Sequence, residues 1–193
     1  MEELLFATHN ANKAREIAAM LGDRYRLRTL TDVGITEEIP EGEDTIRGNA
    51  LVKARYLHEK TGMACFADDT GLIVDSLGGA PGVHTARYAG EECDPKKNIA
   101  KLLGALSGES DRRARFVTVI AHIAADGTET IMEGVCEGEI ATEEHGAEGF
   151  GYDPVFIPTG QGGKTFAEMP LETKNKISHR AKATKALLEH LRK

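Results

Sequence analysis

Two adjacent carboxylates, Asp68 and Asp69, follow an apolar run in the segment CFADDTGL (65–72). Because neighbouring residues of a strand point to opposite faces, we expect the two acids to play different parts. Proteins usually hold Mg²⁺ with carboxylates, and water and phosphate oxygens complete its coordination. Glu41, in the preceding acidic stretch, could add another carboxylate oxygen. The same residues also suit an Asp-Thr-Gly turn closed by a backbone hydrogen bond.

A second candidate, THNANK (8–13), lies between a predicted strand and a predicted helix. The free N–H groups and the positive dipole end of a helix start suit a phosphate. Thr8 adds a hydroxyl and Lys13 adds a cation. An ordinary N-cap with a solvated lysine is the alternative interpretation.

A third candidate, GFGYDP (149–154), places Phe150 and Tyr152 among glycines. Aromatic residues make up only 5% of the chain, and tryptophan is absent. These rings therefore offer a surface on which a base could stack. A loop anchored by a core phenylalanine would have the same composition.

A fourth candidate, KNKISHRAKA (174–183), contains a basic pair. If Ser178 caps the terminal helix, His179 and Arg180 stand at its N-terminus, where positive charge opposes the helix dipole. This arrangement indicates an anion or a keto oxygen as their partner. An exposed basic helix start is the alternative.

The stretch GQGGKT (160–165) imitates a phosphate-binding P-loop. That motif needs a glycine where Pro158 stands. Pro170 falls where the supporting helix should run. We therefore predict a polar loop.

The elements that must position these residues interleave along the chain. We predict strands at 3–8, 25–30, 63–68, 72–77, 114–125 and 128–140, and helices at 10–22, 45–61, 94–106 and 178–192. A turn is predicted at Thr70-Gly71 and an antiparallel hairpin at Asp126-Gly127. The pattern predicts an α/β fold with a mixed sheet.

Composition limits the range of partners. The chain has 193 residues, is 40% hydrophobic and has a net charge of −7, from 24 basic and 31 acidic residues. Such a surface argues against nucleic acid as a partner. No apolar run approaches ~20 residues and no signal peptide is recognisable, so we expect no membrane partner and a cytoplasmic location. Three cysteines without a CxxC motif favour neither disulfides nor zinc.

Five blocks together resemble the signature of the inosine triphosphate pyrophosphatase family, in the same order and nearly end to end: LLFATHNANK, FADDTGL, GGAPGVHTARYAG, GFGYDPVF and KNKISHRAKA. The resemblance implies an α/β fold with an elongated mixed β-sheet flanked by helices, and a single domain, 1–193, of two lobes with a central cleft. It also implies a homodimer that uses Mg²⁺. The implied activity is hydrolysis of ITP, dITP and XTP to the monophosphate and pyrophosphate, which cleanses the nucleotide pool.

The resemblance also implies roles for residues. Asp69 is expected to be the catalytic base and a metal ligand, Glu41 the second metal ligand and Thr70 a substrate contact. The implied phosphate turn comprises Thr8, His9, Asn10, Ala11, Asn12 and Lys13. The implied nucleoside contacts are Phe150, Gly151, Tyr152, Asp153 and Lys174, with His179 and Arg180 as the base-reading pair.

Two positions depart from the expected pattern. His9 stands where members often have glycine, which places a side chain in the phosphate turn. Thr70 replaces a frequent serine, which keeps the hydroxyl and adds a methyl group. Glu37, Glu38 and Glu43 lie close to Glu41 in sequence and could each be the second carboxylate.

In the expected mechanism, water attacks the α-phosphorus under the control of Asp69, while Asp68 supports the turn. Lys13 and Lys174 hold the leaving pyrophosphate. Two rival functions remain open: a broader pyrophosphatase acting on pyrimidine nucleotides, and a non-catalytic nucleotide-sensing module.

Overall fold

The computed structural model describes residues 1–193. Its helices are α1 (Ala11–Leu21), α2 (Ile46–Thr61), α3 (Pro95–Ala105), α4 (Leu171–Ile177) and α5 (His179–Leu191). Its strands are β1 (Glu2–Phe6), β2 (Tyr25–Thr29), β3 (Cys65–Val74), β4 (Pro81–Gly82), β5 (Arg113–Ile123), β6 (Glu129–Ile140) and β7 (Phe156–Pro158). None of the helices combines the length and the apolar character that crossing a membrane requires.

The strands form one mixed sheet in the order β2-β1-β3-β5-β6-β7, with β4 paired to β3. Strand β1 is parallel to both β2 and β3, whereas β3–β4 and β6–β7 are antiparallel pairs. The predicted α/β class with a mixed sheet and flanking helices is confirmed.

The chain divides into two compact units. The first unit comprises Met1–Asp69, Thr118–Gly134 and His179–Lys193, and the second comprises Thr70–Val117 and Val135–Ser178. The core of the first unit contains Phe6 stacked on Phe66 at 4.5 Å, with Ile17 and Leu187 packed in the same cluster.

The core of the second unit is built around three phenylalanines. Phe116 and Phe156 lie 4.6 Å apart between ring centroids, and Phe166 lies 5.1 Å from Phe156. Leu102 and Leu106 are fully buried in the same cluster. Each unit therefore buries apolar side chains of its own.

Strand β3 corrects one prediction, because it runs without a break through Thr70 and Gly71. The turn that Asp-Thr-Gly indicates is overridden by pairing further along the strand. Leu72 pairs with Gly82 and donates its backbone N–H to the Thr85 hydroxyl at 2.9 Å. Since Leu72 is also fully buried, the extended chain both places this side chain in the core and satisfies its backbone.

The predicted terminal helix, 178–192, is confirmed as α5, and the short helix α4 that precedes it was not predicted. Helix α4 ends at Ile177, Ser178 has an extended backbone with φ −70° and ψ 159°, and α5 begins at His179. The new helix start therefore falls directly at the basic pair singled out in the sequence.

Candidate active site

Helix α1 is positioned by the turn that follows β1. Asn10 caps the helix, and its side-chain oxygen accepts hydrogen bonds from the backbone N–H groups of Asn12 (3.0 Å) and Lys13 (3.2 Å). The Thr8 hydroxyl accepts from the N–H of Asn10 at 3.0 Å, which tightens the turn. The turn 8–13 is therefore a capped helix start, and local hydrogen bonds fix its backbone conformation.

Asp68 is the centre of a buried ionic network in the first unit. Lys13 Nζ donates to one carboxylate oxygen at 3.1 Å and Arg180 Nε donates to the other at 3.2 Å. Arg180 also donates through Nη1 to Glu16 at 2.6 Å. The side chains of Asp68, Glu16 and Arg180 are at most 2% exposed. Helices α1 and α5 are thus joined to β3 through one carboxylate.

The charge state of Asp68 follows from these contacts. Burial by itself would raise the pKa of this carboxyl, but the Lys13 ammonium and the Arg180 guanidinium outweigh burial and hold the pKa well below its usual range. The expectation that Asp68 supports a turn is wrong, because the strand continues and the side chain binds two cations instead.

Asp69 faces a different group, as the alternation along a strand requires. Lys53, from α2, places its Nζ 3.5 Å from Asp69 and 3.0 Å from Glu41. Burial raises the pKa of Asp69, and the carboxylates of Glu41 and Asp68 raise it further, against the opposing effect of Lys53 and Lys13. The Asp69 side chain keeps 13% of its surface exposed and that of Glu41 keeps 30%. Both acids are therefore open to a ligand from solution.

Lys53 is stabilised in its charged form by this arrangement. Burial would lower the pKa of Lys53, but the carboxylates of Asp69, Asp68 and Glu41 together raise it above the usual lysine value. Burial instead lowers the pKa of Lys13, for which Asp68 only partly compensates.

The acids fit a divalent ion only in combination with other oxygens. No group of three or more histidine, cysteine, aspartate or glutamate side chains could hold a metal by itself. Asp69 and Glu41, however, both bind the ammonium group of Lys53, so their carboxylates converge on one positive charge. Mg²⁺ commonly binds one or two carboxylates together with substrate phosphates. Asp69 and Glu41 are therefore the residues of this group that could hold a divalent ion together with phosphate oxygens.

His9 connects the turn 8–13 to the acidic stretch that contains Glu37 and Glu41. Its ring Nε2 donates to the backbone carbonyl of Glu37 at 3.0 Å. The Glu37 carboxylate accepts from the Tyr56 hydroxyl at 2.6 Å, and this hydrogen bond lowers the pKa of Glu37 to about 2. The Glu37 carboxylate is thus bound to Tyr56, whereas the Glu41 carboxylate forms an ion pair with Lys53.

The second unit contains a separate polar group. Lys174 donates to Asp153 at 2.7 Å, with side chains 3% and 5% exposed, and the backbone N–H of Phe150 donates to the same carboxylate oxygen at 3.0 Å. Lys174 Nζ also lies 4.8 Å from the centre of the Phe150 ring. The pair therefore fixes the loop that presents the half-buried Phe150.

Tyr152 has a structural role in this loop. It is buried, and its hydroxyl donates to the backbone carbonyl of Thr85 at 2.6 Å. Gly151 has a positive φ of 59°, which turns the chain between the two aromatic residues. Thr70 is half-buried on β3. The Tyr152 hydroxyl therefore anchors the loop, and the nucleoside contact expected of this residue stays a prediction.

The interpretation of His179 and Arg180 as an exposed helix start is wrong, because both are buried in the first turn of α5. Sequence reasoning missed Glu16 and left Lys53 undecided. A signal existed for both, since each is a charged residue directly before a buried apolar residue of a helix, Ile17 and Ala54 respectively. Charged residues are rarely buried without a partner.

The chain is similar to known proteins over nearly its whole length. The model of the Ham1 family matches residues 4–190. A dITP/XTP pyrophosphatase of Christiangramia forsetii is 51% identical, covering 99% of this chain and 100% of its own length, and one of Porphyromonas gingivalis is 52% identical, covering 99% and 98%. The solved structure of the Staphylococcus aureus Ham1 protein superposes with a TM-score of 0.88 at 35% identity, covering 99% of this chain and 98% of its own.

Proposed function

The chain belongs to the Ham1 family, and on that premise we propose that it hydrolyses the non-canonical purine nucleoside triphosphates ITP, dITP and XTP to the monophosphate and pyrophosphate. Relatives that are 51% and 52% identical over nearly the whole chain carry the name dITP/XTP pyrophosphatase. Removal of such nucleotides cleanses the pool from which nucleic acids are made.

One observation carries the proposal: each of the two adjacent acids of β3 faces a lysine. Asp68 binds Lys13, and Asp69 together with Glu41 binds Lys53. A triphosphate would attract the lysines, while a divalent ion would attract the carboxylates. The group is therefore suited to a ligand that carries both signs of charge, such as a nucleoside triphosphate with Mg²⁺.

The proposed reaction assigns the two acids different work. Asp69 orients the attacking water or accepts its proton, because its carboxylate is partly exposed beside Glu41 and Lys53. Asp69 and Glu41 would hold Mg²⁺, which supplies neutralisation of charge on the phosphate oxygens. Lys13 and Lys174 bind the leaving pyrophosphate as point charges.

The proposed base recognition uses a fixed donor. Inosine and xanthine carry a keto oxygen at C6, to which Arg180 or His179 donates, whereas adenine presents an amine donor at that position. An unmet buried donor costs about 1–3 kcal/mol, so adenine is disfavoured. The hydrogen bonds from the guanidinium to Asp68 and Glu16 support this role, because they fix the orientation of Arg180.

The remaining contacts complete the proposal. The turn of Thr8, His9, Asn10, Ala11 and Asn12 contacts phosphates, Thr70 contacts the substrate, and Phe150, Gly151, Tyr152 and Asp153 contact the nucleoside. Resemblance to the family further supports a homodimer and a cytoplasmic location.

A substrate panel tests the function. ITP, dITP, XTP, GTP, ATP and dUTP are incubated with the purified chain and Mg²⁺, and the products are separated by anion exchange. We expect the monophosphate and pyrophosphate, fastest from ITP, dITP and XTP, with ¹⁸O from labelled water in the monophosphate. Preferred turnover of dUTP would favour the broader pyrophosphatase. Binding without turnover would favour the sensing module.

A further inference from the structure

The first turn of α5 lies directly on a glycine of the neighbouring strand. Gly134, in β6, is buried. A Cβ added there would collide with the carbonyl oxygen of His179 and lie 2.6 Å from the backbone nitrogen of Ala183 and 3.0 Å from Cβ of Lys182. Real Cβ atoms essentially never approach other atoms closer than 3.0 Å. Helix α5 could not occupy its present position if residue 134 had a side chain.

Lack of space for a side chain, and not backbone conformation, explains why glycine stands at position 134. Gly134 is not among the residues with positive φ, so any residue could adopt its backbone. His179 and Ala183 are four residues apart, which makes them hydrogen-bonding partners in the first turn of an α-helix. A side chain at position 134 would therefore intrude on the bond that begins α5. Glycine within a strand often marks such a close approach of backbone.

The same turn carries Arg180, the residue next to His179. The Arg180 guanidinium reaches Asp68 at 3.2 Å and Glu16 at 2.6 Å, so a shift of the turn by about 1 Å would stretch these contacts beyond hydrogen-bonding distance. We propose that Gly134 is a positioning residue for base recognition: it seats the first turn of α5 so that Arg180 is held where it reads the keto oxygen. This inference rests on the proposed function of Arg180.

The test is the substitution Gly134→Ala, assayed as kcat/KM for ITP and for ATP separately. We expect the ITP/ATP ratio to fall about tenfold, since the displaced arginine loses the contact that separates the two bases. A purely structural role would lower both values together and leave the ratio unchanged.

Two glycines of the same chain serve as controls. Gly138→Ala, in the same strand, creates equal crowding in the second unit, against the carbonyl of Ile157 and, at 2.7 Å, against Phe156. It should lower the melting temperature and preserve the ITP/ATP ratio. Gly104→Ala, in α3, meets nothing within 4 Å and should change neither quantity.

The outcomes are distinct. An unchanged ratio in Gly134→Ala, or an equal loss in Gly138→Ala, would overturn the proposal. If the wild-type chain has no preference for ITP, the proposed function itself fails. Should Gly134→Ala not fold, Glu16→Gln releases Arg180 on one side without adding volume, and it must lower the ratio in the same direction. An unchanged ratio there would also overturn the proposal.

Discussion

Charged side chains are arranged differently in the two units. In the first, partners are shared: Asp68 binds two cations, and Lys53 lies between two carboxylates. In the second, Lys174 and Asp153 form a pair with almost no exposed surface, next to the Phe150 ring. Lys53, Asp69 and Glu41 are partly exposed and can exchange partners with an ionic ligand, whereas breaking a buried pair leaves an uncompensated charge. We therefore expect exchange of ionic partners at Lys53, Asp69 and Glu41 in the first unit, and a rigidly held Phe150 ring in the second.

The largest expected effect comes from Asp69→Asn. We expect kcat for pyrophosphate release to fall by about 10²–10⁴-fold, because the variant can no longer accept a proton from the attacking water. The melting temperature should change little, since the side chain is partly exposed and 3.5 Å from its nearest cation, Lys53. Near-normal turnover would remove Asp69 from the catalytic role.

Asp68→Asn sharpens the comparison between adjacent acids. We expect a loss of about 3–5 kcal/mol in the free energy of unfolding, because Lys13 and Arg180 would lose a buried partner. The folded pKa of Asp68 lies below the unfolded value of about 3.9, so its stabilisation is complete above that pH and is lost as the pH falls. Urea unfolding at pH 7 and pH 3 measures both effects. An equal difference between wild type and variant at the two pH values would contradict the assignment.

Phe150→Ala tests the second unit. Stacking of a base on an aromatic ring is worth about 1–3 kcal/mol, so KM for ITP should rise about fivefold to a hundredfold with a smaller change in kcat. Tyr88→Leu is the matched control, because Lys101 lies over the Tyr88 ring at 4.3 Å in another lysine–aromatic contact. A rise in KM of the same size in the control would refute a stacking role for Phe150.

The smallest effect is expected from His9→Gly, which removes the side chain at this position of the turn 8–13. Loss of one exposed hydrogen bond to Glu37 should raise KM for ITP about two- to tenfold, since such a bond contributes about 0.5–1.5 kcal/mol. His58→Ala removes a comparable bond, from its ring to the Met63 carbonyl at 2.9 Å, and should leave KM unchanged. A rise in KM for ITP of more than about a hundredfold in His9→Gly would mean that His9 binds phosphate directly.

Local signals predicted much of the fold. The expected family and the α/β class are confirmed. Helix α1 begins after its Asn10 cap and ends at Leu21, before Gly22, and helix α3 begins after its Asp94 cap, as predicted, because capping depends on residues within one turn of the helix end. The continuous strand β3 was missed because its pairing with Pro81 and Gly82 overrides the local turn signal.

The ionic network could not be read from the sequence. Arg180 and Glu16 are 164 positions apart, and Lys13 and Asp68 are 55 apart, so only the fold brings them together. Motifs identified Lys13, Asp68 and Arg180 individually, yet not that one carboxylate holds both cations. The roles of the predicted site residues in binding and catalysis stay predictions.

The central claim is that Asp69 and Glu41 hold a divalent ion beside the phosphates. Electron paramagnetic resonance of Mn²⁺ with a non-hydrolysable ITP analogue tests it most directly, comparing the wild-type chain with the double variant Asp69→Asn/Glu41→Gln. We predict that protein-bound Mn²⁺ in the ternary complex is lost in the double variant while the analogue alone still binds. Equal Mn²⁺ binding by the two proteins would contradict the claim.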